Sequence, residues 1–600
     1  MNISKLLKVV GGVTTAIALS ISAASAMPTQ GPTNNNFYSP PAVFNGEHGE
    51  LIWYRQATVD LGNNAPSVNA WNVLYHSTDA LGAPNKVTGT VIIPTSRWTG
   101  GTARPIISYA VGTHGLAQSC APSIQMARGT DYENANYVAA LNDGYAVLIT
   151  DNPGYTTGDT PTYMVGKAQA HAALDIVDAA MQIPGANISP QAKTAIWGYS
   201  QGGQTAAWAS EVHSSYSPTI NLVAVAAGGT PADFLDTAHL LDGSAGASFM
   251  LGAIIGLSEQ YPNEWPIDDV INSAGANAID SSKSECVFES LFNYMNNDIS
   301  MYTIGRKGLD RMLRELPAAK QSLQAQDLGV NKISIPMYQY HGQADEFIPI
   351  EQHYALKKQY CKSYDNVTFD LFPSEHIVTQ FQAAPYVLSW LDDRFSGKPA
   401  QGTCDTRERA PRSTANRGGG DFVVTLDEWP LAVTMQLKTL GQQVKLPDAS
   451  TFTADTNMTR KTLKGAMVVP EFLTDLNIIL PLDVKLAIIP TSPISGAASL
   501  DDNGILHIAG NAYADVKVVS AGFGWFQIPF GCKTDDPVDF PLSFDGPISD
   551  LGAGNLNFSG ITEFAKMRSC GLFNGLFTVL MSGAGQQYEF NVSPPAPTAN

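Results

Sequence analysis

One segment of this 600-residue chain combines residue types and spacing suited to nucleophilic chemistry: TAIWGYSQGGQ, which places Ser200 between Gly198 and Gly202. The run Thr194 to Tyr199 is apolar and strand-like, and the following QTAAWASEV is compatible with a helix. A serine between glycines at a strand-to-helix turn has a definite use. Only small neighbours let the backbone pass closely enough to lift the hydroxyl clear of the sheet. The helix N-terminus behind it then favours negative charge as it develops. A serine hydroxyl is a weak nucleophile alone, so it needs a base, and the base needs a carboxylate to orient it.

On a strand–turn–helix scaffold of this kind the order along the chain is Ser, then Asp or Glu, then His. Five histidines follow Ser200 before residue 405: His213, His239, His341, His353 and His376. His213 and His239 lie in helix-like text and read as structural, and His353 lies within a predicted helix. His341 sits in YQYHGQADEFIP at a strand end, with Asp345 and Glu346 adjacent. His376 sits in FDLFPSEHIV, just beyond the last strand-like run. The order rule favours His376 as base and Asp345 as its orienting acid. Glu346 as the orienting group and His341 as the base are the alternatives, although His341 fits better as a brace for the Asp345 loop. A developing oxyanion needs two N–H donors. One is expected from the backbone of Gln201, and the other from the loop 110–116, AVGTHGL, after an early strand.

These residues need a sheet to carry them. Short apolar runs at 70–76, 87–94, 105–111, 146–150, 194–199, 222–227, 335–340 and 368–372 read as strands, several apolar on both faces as buried parallel strands are. Helical text lies between them, for example 165–181. Such alternation predicts an α/β domain over residues 27–404. Between about 230 and 330 it lapses into helix-like segments, predicting a helical insertion. Within that insertion GASFMLGAIIGL is apolar nearly all round and must be buried or cover something. Residues 405–420 (DTRERAPRSTANRGGG) read as a linker. Residues 421–600 turn to β-like text with Asp, Gly and Pro turns, predicting an all-β, sandwich-like domain.

Composition narrows the function classes. Lys+Arg is 35 against Asp+Glu 54, a net charge of −19, and charged residues make up only 15%. That excludes phosphate binding through clustered cations and a polybasic membrane anchor. Residues 1–26 carry Lys5 and Lys8, an apolar stretch and Ala24-Ser-Ala26, the pattern of a signal peptide cleaved near Ala26. The product is expected to be secreted or associated with the cell envelope, with no transmembrane span. Export permits disulfides. The six cysteines allow 15 pairings. The sequential set Cys120–Cys286, Cys361–Cys404 and Cys532–Cys570 is expected, because it keeps each bridge within one domain. Without Cys-x-x-Cys or a Cys/His cluster, no metal site is expected, and no cofactor either.

The stretches LYHSTDALGAPNKVTGTVIIP, ISYAVGTHGLAQSCAPS, LNDGYAVLITDNPG, GYSQGGQ, HGQADEFIP and SEH together resemble the secretory lipase family over roughly residues 45–400. The resemblance implies an α/β-hydrolase core with a helical lid between nucleophile and acid. It implies Ser200, Asp345 and His376 as the triad, and disulfides matching Cys120–Cys286 and Cys361–Cys404. It places the second oxyanion donor on the backbone of His114. It does not extend past about residue 405.

The expectation is therefore an exported serine hydrolase of apolar carboxylic esters, a triacylglycerol lipase or carboxylesterase that meets its substrate at a lipid–water interface. An esterase for short-chain or polymeric esters is the runner-up, followed by a non-catalytic binding protein on the same scaffold. The β domain is expected either to attach the enzyme to an envelope, glycan or lipid surface, or to cap the core.

Overall fold

The computed structural model describes residues 28–42, 46–364, 366–404, 412–415, 420–477 and 481–599. The leader 1–26 and most of the linker lie outside the described residues.

The first two thirds build on a mixed sheet. Its strands are β1 (Leu51–Gln56), β2 (Val68–Thr78), β3 (Pro84–Pro94), β4 (Ile106–Ala110), β5 (Ala146–Thr150), β6 (Thr194–Tyr199), β7 (Leu222–Gly228), β8 (Met337–Gly342) and β9 (Val367–Phe372). They lie side by side in the order β1-β2-β3-β5-β4-β6-β7-β8-β9. β1, β2 and β3 pair antiparallel, and β3 also runs antiparallel to β5. From β5 to β9 the successive neighbours are parallel. Ile106–Ala110 and Ala146–Thr150 are buried at every residue, as strands covered on both faces must be. The eight strand windows read from the sequence all contain strands. β1 was not among them: LIWYRQ has only one buried residue, and its pairing with β2 carries a register shift.

Helices α1 (Gly166–Met181) and α2 (Gln201–Tyr216) pack against each other and the sheet. Between β7 and β8 the described chain is helical apart from turns and bridges. It begins with α3 (Phe234–Leu241) and α4 (Ala247–Gln260). α4 is the GASFMLGAIIGL segment, and Met250, Leu251, Ile254, Ile255 and Leu257 are all buried. After β9, α5 (His376–Gln382) begins at the predicted base.

Beyond residue 420 all pairings are antiparallel. The longer strands are β10 (Val423–Leu437), β11 (Thr451–Asn457), β12 (Thr462–Val468), β13 (Pro481–Pro490), β14 (Ile494–Leu500), β15 (Ile505–Phe523), β16 (Phe526–Thr534), β17 (Val538–Pro547), β18 (Leu556–Phe564) and β19 (Gly583–Val592). The 19-residue β15 organises this sheet. Its first half lies between β14 and β17, and its second half between β13 and β16. β10 likewise pairs first with β11, through a register shift where Glu428 takes φ 50°, and from Leu431 onward with β19. Two short helices interrupt the strands, α6 (Ser549–Ala553) and α7 (Asn574–Met581).

This β region packs directly on the α/β core. One apolar cluster runs from Phe234 and Leu251 of the helical insertion, through Ile377, Val378 and Phe381 of α5, into Phe422, Trp429 and Leu506. Phe347 and Phe422 meet at a ring-centroid distance of 5.7 Å. Gln382 donates its side-chain amide to the Pro595 carbonyl at 2.7 Å. The last strand, β20 (Thr598–Ala599), returns to pair antiparallel with β9. Of the predicted linker, Thr414 donates its N–H to the Gln343 carbonyl. All three disulfides join the expected partners, Cys120–Cys286, Cys361–Cys404 and Cys532–Cys570.

Candidate active site

Ser200 ends β6 and precedes α2, and its backbone is held at φ 58° and ψ −118°, outside the regions a side-chain-bearing residue prefers. The glycines around it are required by contact. A β-carbon on Gly198 would lie 2.2 Å from the Gly202 carbonyl oxygen, and one on Gly202 would lie 1.9 Å from the Ala110 oxygen. The turn is thus wedged between β4 and α2, with its hydroxyl directed off the carboxyl end of the sheet.

His376 comes to it from 176 residues downstream, and the Ser200 hydroxyl donates to His376 Nε2 at 2.9 Å. On the other side of the ring, Nδ1 donates to Asp345 Oδ2 at 2.6 Å. Asp345 is itself fixed: its Oδ1 accepts the N–H groups of Phe347 and Ile348 at 2.9 and 2.8 Å. Burial would raise its carboxyl, but His376 and His341 beside it, together with these hydrogen bonds, hold it below the usual carboxylate range. The structure brings the favoured Ser200, His376 and Asp345 together.

The two alternatives occupy other positions. Glu346 touches the backbone of His376, accepting its N–H at 3.3 Å, whereas the imidazole Nδ1 is taken by Asp345. Burial and the nearby Glu375 and Asp345 push its carboxyl well above the ordinary value, so it favours the neutral acid. His341 donates Nε2–H to the Ile348 carbonyl at 3.2 Å and lies 3.4 Å from Asp345. It braces the Asp345 loop, as its position in the sequence suggested. Glu375, just ahead of His376, caps α5 by accepting from Ile377 and Val378 at 2.7 and 2.8 Å.

For the oxyanion donors, Gln201 is the first residue of α2, and the leading N–H groups of a helix have no partner within it. The loop after β4 runs against the same turn, because Gly202 abuts the carbonyls of Ala110 and Val111. His114 lies in that loop, but its ring points into a buried acidic box. It is 3.4 Å from Asp131 and 3.9 Å from Glu133, with Nδ1 on the Gly112 carbonyl at 3.0 Å. Burial pulls this imidazole down, yet the two carboxylates outweigh it and raise it to about 9. The side chain is therefore committed to holding the loop. Glu133 accepts the Gly112 N–H at 2.9 Å, the Tyr109 hydroxyl at 3.0 Å, and the side-chain amide of Gln380 on α5. One buried carboxylate thus joins the loop to the helix of His376. Neither Asp131 nor Glu133 stands in a motif, and the sequence reading missed both. Their signal was only a pair of carboxylates flanking Tyr132 ahead of a helix.

Ser200 and His376 open onto an apolar cavity under α3 and α4, lined by Phe234, Leu241, Phe249, Ala253, Ile254 and Trp265 among others. The Cys120–Cys286 bridge and a β-bridge between Gly115 and Cys286 fasten the loop after β4 to the insertion that roofs this cavity. Among the described residues no group of three or more His, Cys, Asp and Glu is arranged to hold a metal ion.

Residues 122–403 match the sequence profile of the secretory lipase family. Lipase 10 of Candida albicans is 28% identical over 410 residues, covering 63% of this chain and 84% of that one. A secreted triacylglycerol lipase of Malassezia furfur is 24% identical over 394 residues, covering 62% of this chain and 78% of that one. The crystal structure of Candida antarctica lipase A in its closed state superposes with a TM-score of 0.53 at 25% identity, covering 62% of this chain and 85% of that one.

Proposed function

From a chain whose residues 122–403 carry the secretory lipase sequence, we propose a serine hydrolase of apolar carboxylic esters, with Ser200 as nucleophile, His376 as base and Asp345 as its orienting acid. The observation that carries this reading is the hydrogen-bonded line from Asp345 through His376 to the Ser200 hydroxyl, ending in an apolar cavity. Ser200 Oγ attacks the ester carbonyl while its proton passes to His376 Nε2. The ionised Asp345 stabilises the imidazolium. Charge on the carbonyl oxygen falls to the backbone N–H groups of Gln201 and His114. His376 then protonates the departing alcohol, and the acyl group remains on Ser200 until water, deprotonated by the same imidazole, releases it as the acid.

The cavity explains a preference for acyl chains. Besides Ser200 and His376 its lining is mostly apolar, with Thr237 and Tyr163 adding hydroxyls, and the helical insertion supplies side chains that exclude water. Relatives named as triacylglycerol lipases support the same substrate class. Export is part of the reading: a leader over 1–26 cleaved near Ala26, supported by three disulfides and by a relative named as secreted. Among the described residues no helix is long and apolar enough to cross a membrane.

The test is a fluorophosphonate probe with p-nitrophenyl esters as substrate. The native protein should be labelled on Ser200 and hydrolyse the esters, and Ser200→Ala should do neither. Full turnover by Ser200→Ala would overturn the assignment.

A further inference from the structure

The β region displays an apolar surface that the proposed chemistry does not use. β15 and β16 form a hairpin whose tip is Gly524-Trp525, and the Trp525 side chain is 95% exposed. Phe523, Phe526 and Ile528 beside it are also exposed. Across from the hairpin lies α7. It buries Phe577, Leu580 and Met581 inward, while Leu576 and Val579, with Leu572 just before the helix, face out uncovered. The two pieces form one surface. The Cys532–Cys570 bridge joins them, and Phe530 of β16 packs on Phe573 and Phe577 at 5.6 and 5.3 Å. The surface is therefore held in place by a covalent link and by aromatic contacts onto the buried Phe577.

Its charge pattern restricts what can cover it. No charged residue occurs from 518 to 532 or from 569 to 588. At the rim Lys533 pairs with Asp515, and Arg568 with Asp535 at 3.0 Å, while the Asp483 carboxylate at the tip accepts the Gly524 N–H at 2.7 Å. A patch of this size on a chain of net charge −19 is neutral itself and repelled as part of the whole by anionic surfaces. Its shape restricts the occupant further. A lone indole on a turn tip and leucines on the outer side of a helix are protrusions. A protein partner must offer a matching pocket for each, whereas a fluid interface accepts them anywhere. Sugar recognition requires directed hydrogen-bond donors and acceptors around the aromatic ring, and the polar side chains at the tip are engaged with the turn backbone: Asp483 accepts the Gly524 N–H at 2.7 Å and Gln527 donates to the Gly524 carbonyl at 3.4 Å. An indole with an apolar body and one N–H is suited to the boundary between lipid and water.

We propose that the β15–β16 tip and the outer face of α7 dock the protein onto uncharged lipid–water interfaces. The docking itself is independent of the Ser200 reading, but its purpose, delivery of the apolar cavity to insoluble esters, rests on that reading. This surface lies wholly beyond the part of the chain that matches the secretory lipase family.

The experiment uses the full-length protein carrying Ser200→Ala, so that binding is read without turnover. Flotation with phosphatidylcholine vesicles and with a triacylglycerol emulsion should recover the protein, and Trp525→Ser/Leu576→Ser/Val579→Ser should lower recovery at least tenfold. On vesicles the tryptophan emission should shift to the blue, and this shift should vanish in Trp525→Phe while flotation persists. With Ser200 restored, the triple variant should hydrolyse a soluble short-chain ester at the parental rate, which also reports its folding, and lose rate on the emulsion. If it fails to fold, the Trp525→Phe emission test decides. Undiminished flotation of a folded triple variant, a blue shift surviving in Trp525→Phe, binding restricted to anionic vesicles or to insoluble polysaccharide, or a stable dimer that the triple variant dissociates would each overturn the proposal.

Discussion

Gly552 of α6 presses against the Val378 carbonyl of α5. A β-carbon at Gly552 would lie 2.5 Å from that oxygen and 2.7 Å from the Gln382 nitrogen. The β region thereby rests on the helix that begins at His376, reaching Val378 in the same first turn as the imidazole that meets Ser200.

Any side chain at 552 must displace α5. Gly552→Val is expected to destabilise the protein by about 1–3 kcal/mol, the range for overpacking a tight contact. It should also lower kcat more than it raises KM, because the displaced group is His376. Thermal melting and steady-state kinetics on a soluble ester check this together. A variant that melts early but keeps its kcat would show that the contact is structural only. Truncation at residue 411 removes the same contact, strips the cover from Phe347, and deletes β20 from the sheet edge, so it is expected to yield insoluble protein.

Asp345 and Glu346 are adjacent carboxylates with different surroundings, and their variants should separate. Asp345→Asn leaves the imidazole in the wrong tautomer, and kcat should fall by about 10⁴-fold. Glu346→Gln keeps a side chain that can accept the His376 N–H and mimics the neutral acid toward which burial pushes this carboxyl, so kcat should stay within the same order of magnitude. Equal losses in both would contradict the assignment of Asp345.

The cavity beyond Ser200 should set acyl-chain preference. Ala253 lines it on α4, and Ala253→Trp would fill the space an acyl chain needs. The kcat/KM for a p-nitrophenyl palmitate is expected to fall about 10- to 100-fold, while that for the butyrate is little changed. A uniform loss across chain lengths would place the acyl chain elsewhere, and a native preference for butyrate would favour a short-chain esterase.

The box around His114 makes stability depend on alkaline pH. Asp131 and Glu133 outweigh burial and raise the imidazole from 6.5 to about 9, so folding retains a proton that the unfolded chain releases. That contribution is complete below about pH 6.5 and is lost as pH rises through 9. Glu133, raised by burial from 4.5 to about 7, acts in the same direction at lower pH: folding favours its protonated form, and that advantage disappears as pH rises through 7. Between pH 7 and 10 the native protein is expected to lose up to about 3 kcal/mol through His114, at about 1.4 kcal/mol per pKa unit. His114→Gln should melt earlier at pH 7 and show a flatter profile up to pH 10. Urea unfolding at a series of pH values measures both.

The chain by itself determined the strands of the parallel sheet and the strand-to-helix turn that carries Ser200. Both rest on local signals: apolar runs buried on two faces, and glycines two residues either side of Ser200. Asp345 and His376 were legible from chain order, because each stands just past a strand-like run. Tertiary structure alone decided how these are held. Glu133 reaches Gln380 across 247 residues, Gly552 meets Val378, and the chain end returns to β9; none of these contacts has a periodicity to read. The docking surface was invisible for the same reason. Trp525 and Leu576 belong to segments about fifty residues apart, each an unremarkable apolar run, and only folding and the Cys532–Cys570 bridge make them one face. Hydrophobic patterning records which residues leave water within one element. It does not record which distant element covers them, or that some are left uncovered.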